Sequence, residues 1–416
     1  MLRRDLLKHA LKGAAMMAAA PRVEAANVPP IKITGMKVHR LSQKLKEPMG
    51  YCCAPGGVLG MTAVGASVIE VQTDSGITGW GDGGWGGEVL RKQRDLVIGR
   101  SPFEAEAIFD QIGELSAPPF RTPPRQLNTP GGLDVALWDI MGKALGKPVS
   151  ALFGKERRKR VMPYASAGYR KNWSPLEAGF AEEIRHWTKD IGFRAAKVKT
   201  GYDPNTDVKV LTAVRKAIGD GVHLGIDSGT PGAYDDGTAV SLGRRLEELN
   251  LEFWEEPINK YDLEGYRRLR AALKIPLASG EALPIDWVIE NYINKHIVDI
   301  VQPDISEAGF TGGRRISYAA WIARVRLVPH SWGTPVRIAS EMHWVACFPD
   351  TSTAWNPPPV LFELHLPHES PAWGLTTVPV QVDKKDGMIQ VPTGPGLGIE
   401  INRDELARYR VELIEI

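Results

Sequence analysis

Two rhythms of apolar and polar positions divide the chain. In "GASVIEVQTDSGITGWGD" (65–82) the two classes alternate on either side of Asp74-Ser75-Gly76, as in two antiparallel strands joined by a tight turn. Residues 31–83 therefore read as β-rich. Residues 88–115 and 131–146 carry helical periodicity, and the second stretch runs from a Pro-Gly-Gly break to Gly146, just before Pro148. From about residue 160, short apolar runs alternate with amphipathic stretches. The runs are "RVMPYAS", "AAKVKTG", "VHLGIDSG", "LEFWEEP", "IPLASGE", "IVDIVQPD", "RLVPHSW" and "VLFELHL". Eight strand-like runs alternating with helical ones predict an α/β fold with a parallel barrel, whose functional groups gather at the C-terminal ends of the strands. The tail from Val378 returns to β character.

Several runs end in a polar or charged residue, at regular spacing. Lys199 to Asp227 and Asp227 to Glu255 are each 28 residues, Glu255 to Glu281 is 26, Glu281 to Asp304 is 23 and Asp304 to His330 is 26. That period is one strand plus one helix. In such a barrel Asp227, Glu255 and Glu281 face one point, and three ionised carboxylates share a site only with a cation to neutralise them. An all-oxygen set suits a hard ion, Mg²⁺ before Mn²⁺ or Ca²⁺. Alternation leaves open which of Glu255 and Glu256 in "WEEP" faces the interior. His330 follows Asp304 by one strand, and a carboxylate beside an imidazole fixes its tautomer and supports its charge, so His330 is a candidate general base oriented by Asp304. Lys197 and Lys199 in "AAKVKTG" share a strand face. Their mutual repulsion and burial are expected to depress a lysine pKa towards that of a usable base. A divalent ion with bases on two faces suits removal of a proton α to a carboxylate through an enediolate.

Composition alters this little. Of 416 residues, 43% are apolar and 24% charged, ordinary for a globular chain long enough for two domains. The 51 basic and 49 acidic residues give a net charge of +2, no reason to expect nucleic acid or an anionic membrane as partner. "KERRKR" (155–160) reads as a solvated face. Cys52, Cys53 and Cys347 lack zinc spacing, and the adjacent pair could bond only through a strained ring. It sits in the glycine-rich "MGYCCAPGGVLG", which reads as a lid. The first 26 residues, with Arg3-Arg4, a modestly apolar stretch and small residues around Glu24, read as a twin-arginine export signal and hence a periplasmic or exported protein, the alternative being an amphipathic N-terminal helix on a cytoplasmic one. No segment reaches the roughly 20 apolar residues of a membrane span.

Together, "GGLDVALWDIMGKALGKPV", "KVKTG", "GIDSG", "WEEP", "SGE", "QPD", "VPHSWGT" and "GMIQVPTGPGLGIEI", in this order, resemble the enolase superfamily and, within it, the mandelate racemase subgroup. The resemblance implies a (β/α)7β modified TIM barrel over residues 156–374, under an α+β capping domain built from residues 27–155 and the C-terminal segment 375–416. It implies Mg²⁺ on Asp227, Glu255 and Glu281, Lys199 as base, Lys197 as a contact for the substrate carboxylate that also tunes Lys199, and His330 with Asp304 on the other face. Glu363 of "LFELHL" looks like the family's last-strand acid, which binds the substrate carboxylate and stabilises the enediolate. Ser166, ending the first barrel strand, is a candidate substrate contact. The sequence departs from the family at Gly229, where relatives often carry Asn. It also adds His365 and His368, expected as surface or substrate-contact residues rather than a zinc pair. The implied activity is dehydration of an acid sugar, with racemisation, epimerisation or cycloisomerisation as the alternative, by a homo-oligomer acting on a small carboxylate. A non-catalytic exported binding protein needs no paired bases. A metal-dependent hydrolase on a similar barrel usually shows strand-end histidine pairs, which are missing here.

Overall fold

The computed structural model describes residues 29–50, 60–83, 87–116, 131–229, 232–349, 359–365, 373–377 and 380–416. The expected export signal, Cys52, Cys53 and His368 lie outside the described residues, as does the side chain of His365. The alternating segment forms an antiparallel meander of β1 (Ile33–Met49), β2 (Met61–Thr73) and β3 (Thr78–Asp82). It packs on the helix Gly131–Leu145, which is buried on every side from Gly131 to Gly142, as a helix enclosed between two layers is. At Gly79 and Gly81 a Cβ would stand 2.1 Å from the Ala136 carbonyl oxygen and 1.8 Å from that of Gly132, so only glycine lets β3 lie directly on the helix backbone.

Eight parallel strands follow: β4 (Arg160–Ala167), β5 (Ala195–Lys199), β6 (His223–Asp227), β7 (Leu251–Glu255), β8 (Leu277–Ser279), β9 (Ile300–Val301), β10 (Arg326–Leu327) and β11 (Leu361–His365). A helix joins each strand to the next, and neighbours in sequence pair in space from β4 to β10. β11 returns beside β4, with Glu363 opposite Tyr164. The seam between β10 and β11 is bridged by the Glu363 N–H, which donates to the Pro329 carbonyl at 3.4 Å. This is the expected (β/α)7β barrel.

The tail serves both sheets. β12 (Ile389–Gln390) pairs with β4, and β13 (Arg410–Glu415) pairs with β1. Between them runs the helix Arg403–Tyr409, capped by the Asn402 side chain, which accepts from the N–H groups of Asp404 and Glu405. The β character of the tail did not announce that helix.

Candidate active site

The site follows from the twofold period of the strands. Tyr164, Ala195, Phe253, Ala278, Ile300, Val328 and Leu361 form a separate buried apolar cluster, the floor of the barrel interior. At β6 the floor position is Gly225, whose missing side chain leaves room for the Phe253 ring. Two residues further along, the same faces present Ser166, Lys197, Asp227, Glu255, Gln302, His330 and Glu363. The parity settles the "WEEP" ambiguity. Glu255 follows Phe253 into the interior, whereas Glu256 (φ +45°) points away, accepting from Ser279 Oγ at 3.2 Å and lying 3.6 Å from Lys260 Nζ.

On the lysine side, Lys197 Nζ lies 2.8 Å from Glu363, 2.9 Å from Glu255 and 3.3 Å from Asp227, and 5.5 Å from the Tyr164 ring centre. Lys199 Nζ donates to Asp227 Oδ2 and stands 5.4 Å from the Tyr169 ring centre. Ser166 Oγ donates to Glu363 Oε1, and the Ser331 N–H to its Oε2 at 2.9 Å. Lys197, expected to contact the substrate carboxylate and to tune Lys199, is itself held charged. Burial would lower its pKa, but the charges of Glu255 and Glu363 outweigh burial and hold it well above the usual lysine range. The countercharge also divides the carboxylates. Asp227 is held low, its burial overcome by Lys199 and Lys197, while burial and the Asp227 charge push Glu255 up.

On the histidine side the groups sit two or three residues beyond their strands. His330 Nδ1 and Asp304 Oδ1 are 2.6 Å apart, and Nε2 lies 3.5 Å from Glu281 and 3.8 Å from Glu363. Burial lowers the imidazole pKa, but Glu281 and Asp304 together raise it to about 10. Asp304 Oδ2 accepts from the Ala282 N–H at 2.8 Å, and the Glu281 carbonyl from Lys260 Nζ at 2.9 Å. A cavity of about 610 Å³ between the cap and the barrel opens onto Glu281, Asp304 and His330, under a cap wall that includes Met61, Ala63 and Val64. Beside it Met49, Val64 and Tyr169 form an apolar cluster with Leu45, Met61 and Trp332. A second cavity, of about 510 Å³, lies at the other end of the strands, near Pro276, Asp299 and Arg326. Its Arg270 and Arg326 are engaged by Asp299 and Glu252.

Asp227, Glu255 and Glu281 stand at three neighbouring strand ends. Glu255 Oε1 is buried without a hydrogen-bond partner, a costly state for a carboxylate oxygen unless something binds it. With an all-oxygen donor set, this fits a hard divalent ion. Among the described residues no group of three His, Cys, Asp or Glu side chains is arranged to hold a metal ion. The lysines hold Asp227 and Glu255, and Glu281 leans towards His330. The carboxylates that seemed to require a cation thus find one first in the chain itself.

Residues 179–405 match the family described as enolase C-terminal domain-like, and residues 57–154 match the mandelate racemase / muconate lactonizing enzyme, N-terminal domain. The chain belongs to the mandelate racemase / muconate lactonizing enzyme family. D-galactarolactone cycloisomerase of Agrobacterium fabrum is 30% identical over 386 residues, 92% of this chain and 99% of that protein. Arabinonate dehydratase of Saccharolobus solfataricus is 32% identical over 284 residues, 67% of this chain and 71% of that one. The crystal structure of the 3,6-anhydro-D-galactonate cycloisomerase from Zobellia galactanivorans superposes with a TM-score of 0.76 at 30% identity, over 92% of this chain and 100% of the other.

In this family member the sequence reading missed Gln302, whose Nε2 donates to Glu255 Oε2 at 2.7 Å. Its position two residues after the floor residue Ile300 was the available signal. The "DSGT" departure is accommodated by backbone, because the Gly229 N–H (φ +75°) donates to Asp227 Oδ1 at 2.7 Å.

Proposed function

We propose that the protein removes the proton α to the carboxylate of a small acid, an acid sugar foremost, and dehydrates the resulting enediolate. The observation that carries this is a barrel mouth with a lysine at the end of β5 and a histidine–aspartate pair beyond β10 and β9, around carboxylates suited to a hard ion. Asp227, Glu255 and Glu281 would hold Mg²⁺, which when bound supplies positive charge to offset the negative charge developing on the substrate. Lys199 takes the α-proton on one face. Lys197, kept charged by Glu255 and Glu363, binds the substrate carboxylate with Ser166 and Glu363 beside it. His330, held at Nδ1 by Asp304, works from Nε2 on the other face. As imidazolium it gives a proton to the departing β-hydroxyl, which leaves as water, and as neutral imidazole it removes an α-proton from that face.

Cycloisomerisation is the second reading. The apolar part of the cavity wall, Met61, Ala63, Val64 and Trp332, suits a compact ring-closed acid better than an open polyol. The cycloisomerases of galactarolactone and of anhydrogalactonate align over nearly the whole chain. Incubation with Mg²⁺ in D₂O, with aldonic, aldaric and lactone acids, tests both readings. Deuterium uptake at the α-carbon supports enolisation. Loss of water supports dehydration, and ring opening at constant composition supports cycloisomerisation. No exchange with any acid at confirmed metal occupancy overturns both.

Export through Arg3-Arg4 and a homo-oligomeric state belong to the same proposal. No described helix is long and apolar enough to cross a membrane. Cell fractionation of the Arg3→Lys/Arg4→Lys variant and light scattering of the purified protein test the two points.

A further inference from the structure

Asp82 ends β3 of the cap, between two glycines that allow close approach. At Gly81 a side chain would strike Gly132, and at Gly83 (φ +102°) a Cβ would stand 2.4 Å from Ser306 Cβ, on the helix that follows Asp304. Asp82 is thereby lodged against the barrel. Its Oδ2 accepts from the Thr334 N–H at 2.7 Å and its Oδ1 from Arg337 Nε at 3.0 Å. The same guanidinium reaches Asp304 Oδ1 through Nη1 at 3.3 Å, the oxygen that holds His330 Nδ1. Asp82, Arg337 and Asp304 are all at least nine-tenths buried. The contacts form one chain: Asp82 in the cap, Arg337 on the helix Pro335–Ala346, Asp304, then His330.

We propose that Arg337 and Asp82 are positioning residues through which the cap orients the His330–Asp304 pair. A flat guanidinium serves two carboxylates from two edges, which a lysine ammonium cannot do from the same distance. With Arg337 in place, Asp304 is held by Arg337, His330 and the Ala282 N–H, so the imidazole it carries has one orientation. The lysine side has no member of this chain. Among the described residues the ion pairs of Lys197 and Lys199 with Asp227, Glu255 and Glu363 lie on barrel strands.

This rests on the enolising activity proposed above, so the test has two arms. In the first, α-deuterium exchange is followed separately for epimeric acids that present the proton to the His330 face and to the Lys199 face. Arg337→Lys and Asp82→Asn are expected to slow His330-face exchange by about 100-fold, as small misplacements of a reacting group do, and to leave the Lys199 face within about twofold. Equal losses on both faces, or none on either, overturn the proposal. The second arm needs no turnover. Crystal structures of wild type and Arg337→Lys are expected to differ in the His330 Nδ1–Asp304 contact, with the Lys197 cluster unchanged. An unaltered contact overturns the proposal whether or not the wild type turns over, whereas a wild type that exchanges no acid defeats only the enolising activity.

Discussion

The lysine and histidine halves of the barrel mouth are built on different terms. Lys197 is almost wholly buried among carboxylates of β6, β7 and β11, and neither it nor Lys199, Asp227 or Glu255 lines the large cavity. His330, Asp304 and Glu281 do line it, and Asp304 is tied to a residue of the cap through Arg337. The lysine cluster is neutralised by carboxylates of the barrel strands. A group at the open edge of the cavity lacks packing on one side, and here Asp304 takes a further bond from Arg337, which the cap residue Asp82 holds in turn.

The largest expected effect separates the halves outright. Lys199→Ala should lower exchange on its face by about 10³-fold or more and spare the other, with His330→Asn doing the reverse. Isotope exchange with paired epimers checks this, and loss of both faces in either variant would break the comparison. Next comes Lys197→Met, which leaves Glu255, Glu363 and Asp227 with less countercharge in a dry site. It should cost about 3–5 kcal/mol in urea denaturation, part of it recovered by added Mg²⁺. Smaller again is the contrast within "WEEP". Glu256→Gln, removing the anion beside buried Lys260, should cost about 1–3 kcal/mol yet keep any Mg²⁺-induced rise in Tm, whereas Glu255→Gln should abolish that rise.

The smallest effect concerns the cap. Burial would raise the Glu70 pKa, but bonds from His39 and Arg403 hold it at about 2 against an ordinary 4.5. Folding therefore favours the carboxylate. The contribution is complete above about pH 4.5 and fades as pH falls towards 2. Urea midpoints should drop over that range in wild type and less steeply in Glu70→Gln. An identical slope in the variant would show that Glu70 does not govern the acid stability of the cap.

Much of this was legible along the chain. The β2–β3 hairpin turned where Asp74-Ser75-Gly76 predicted, and the strand-plus-helix period set Asp227 and Glu255 at the ends of β6 and β7 and Glu281 just beyond β8. Gln302 escaped because an amide at a strand end has no chemistry of its own until a carboxylate stands beside it. The ion pairs that keep Lys197 charged were not legible, because spacing showed the lysine next to it and not the carboxylates of other strands. Arg337 and Asp82 carried no signal, lying 255 residues apart in sequence.

By itself the sequence determined the βα rhythm and the kinds of group offered at each strand end, since periodicity and strand length depend only on neighbours along the chain. The tertiary structure decided which glutamate of "WEEP" faces inward, what neutralises Lys197, and how the cap reaches His330. Each of these depends on strand register and on how closely two sheets approach, and such distances arise only when segments remote in sequence pack together.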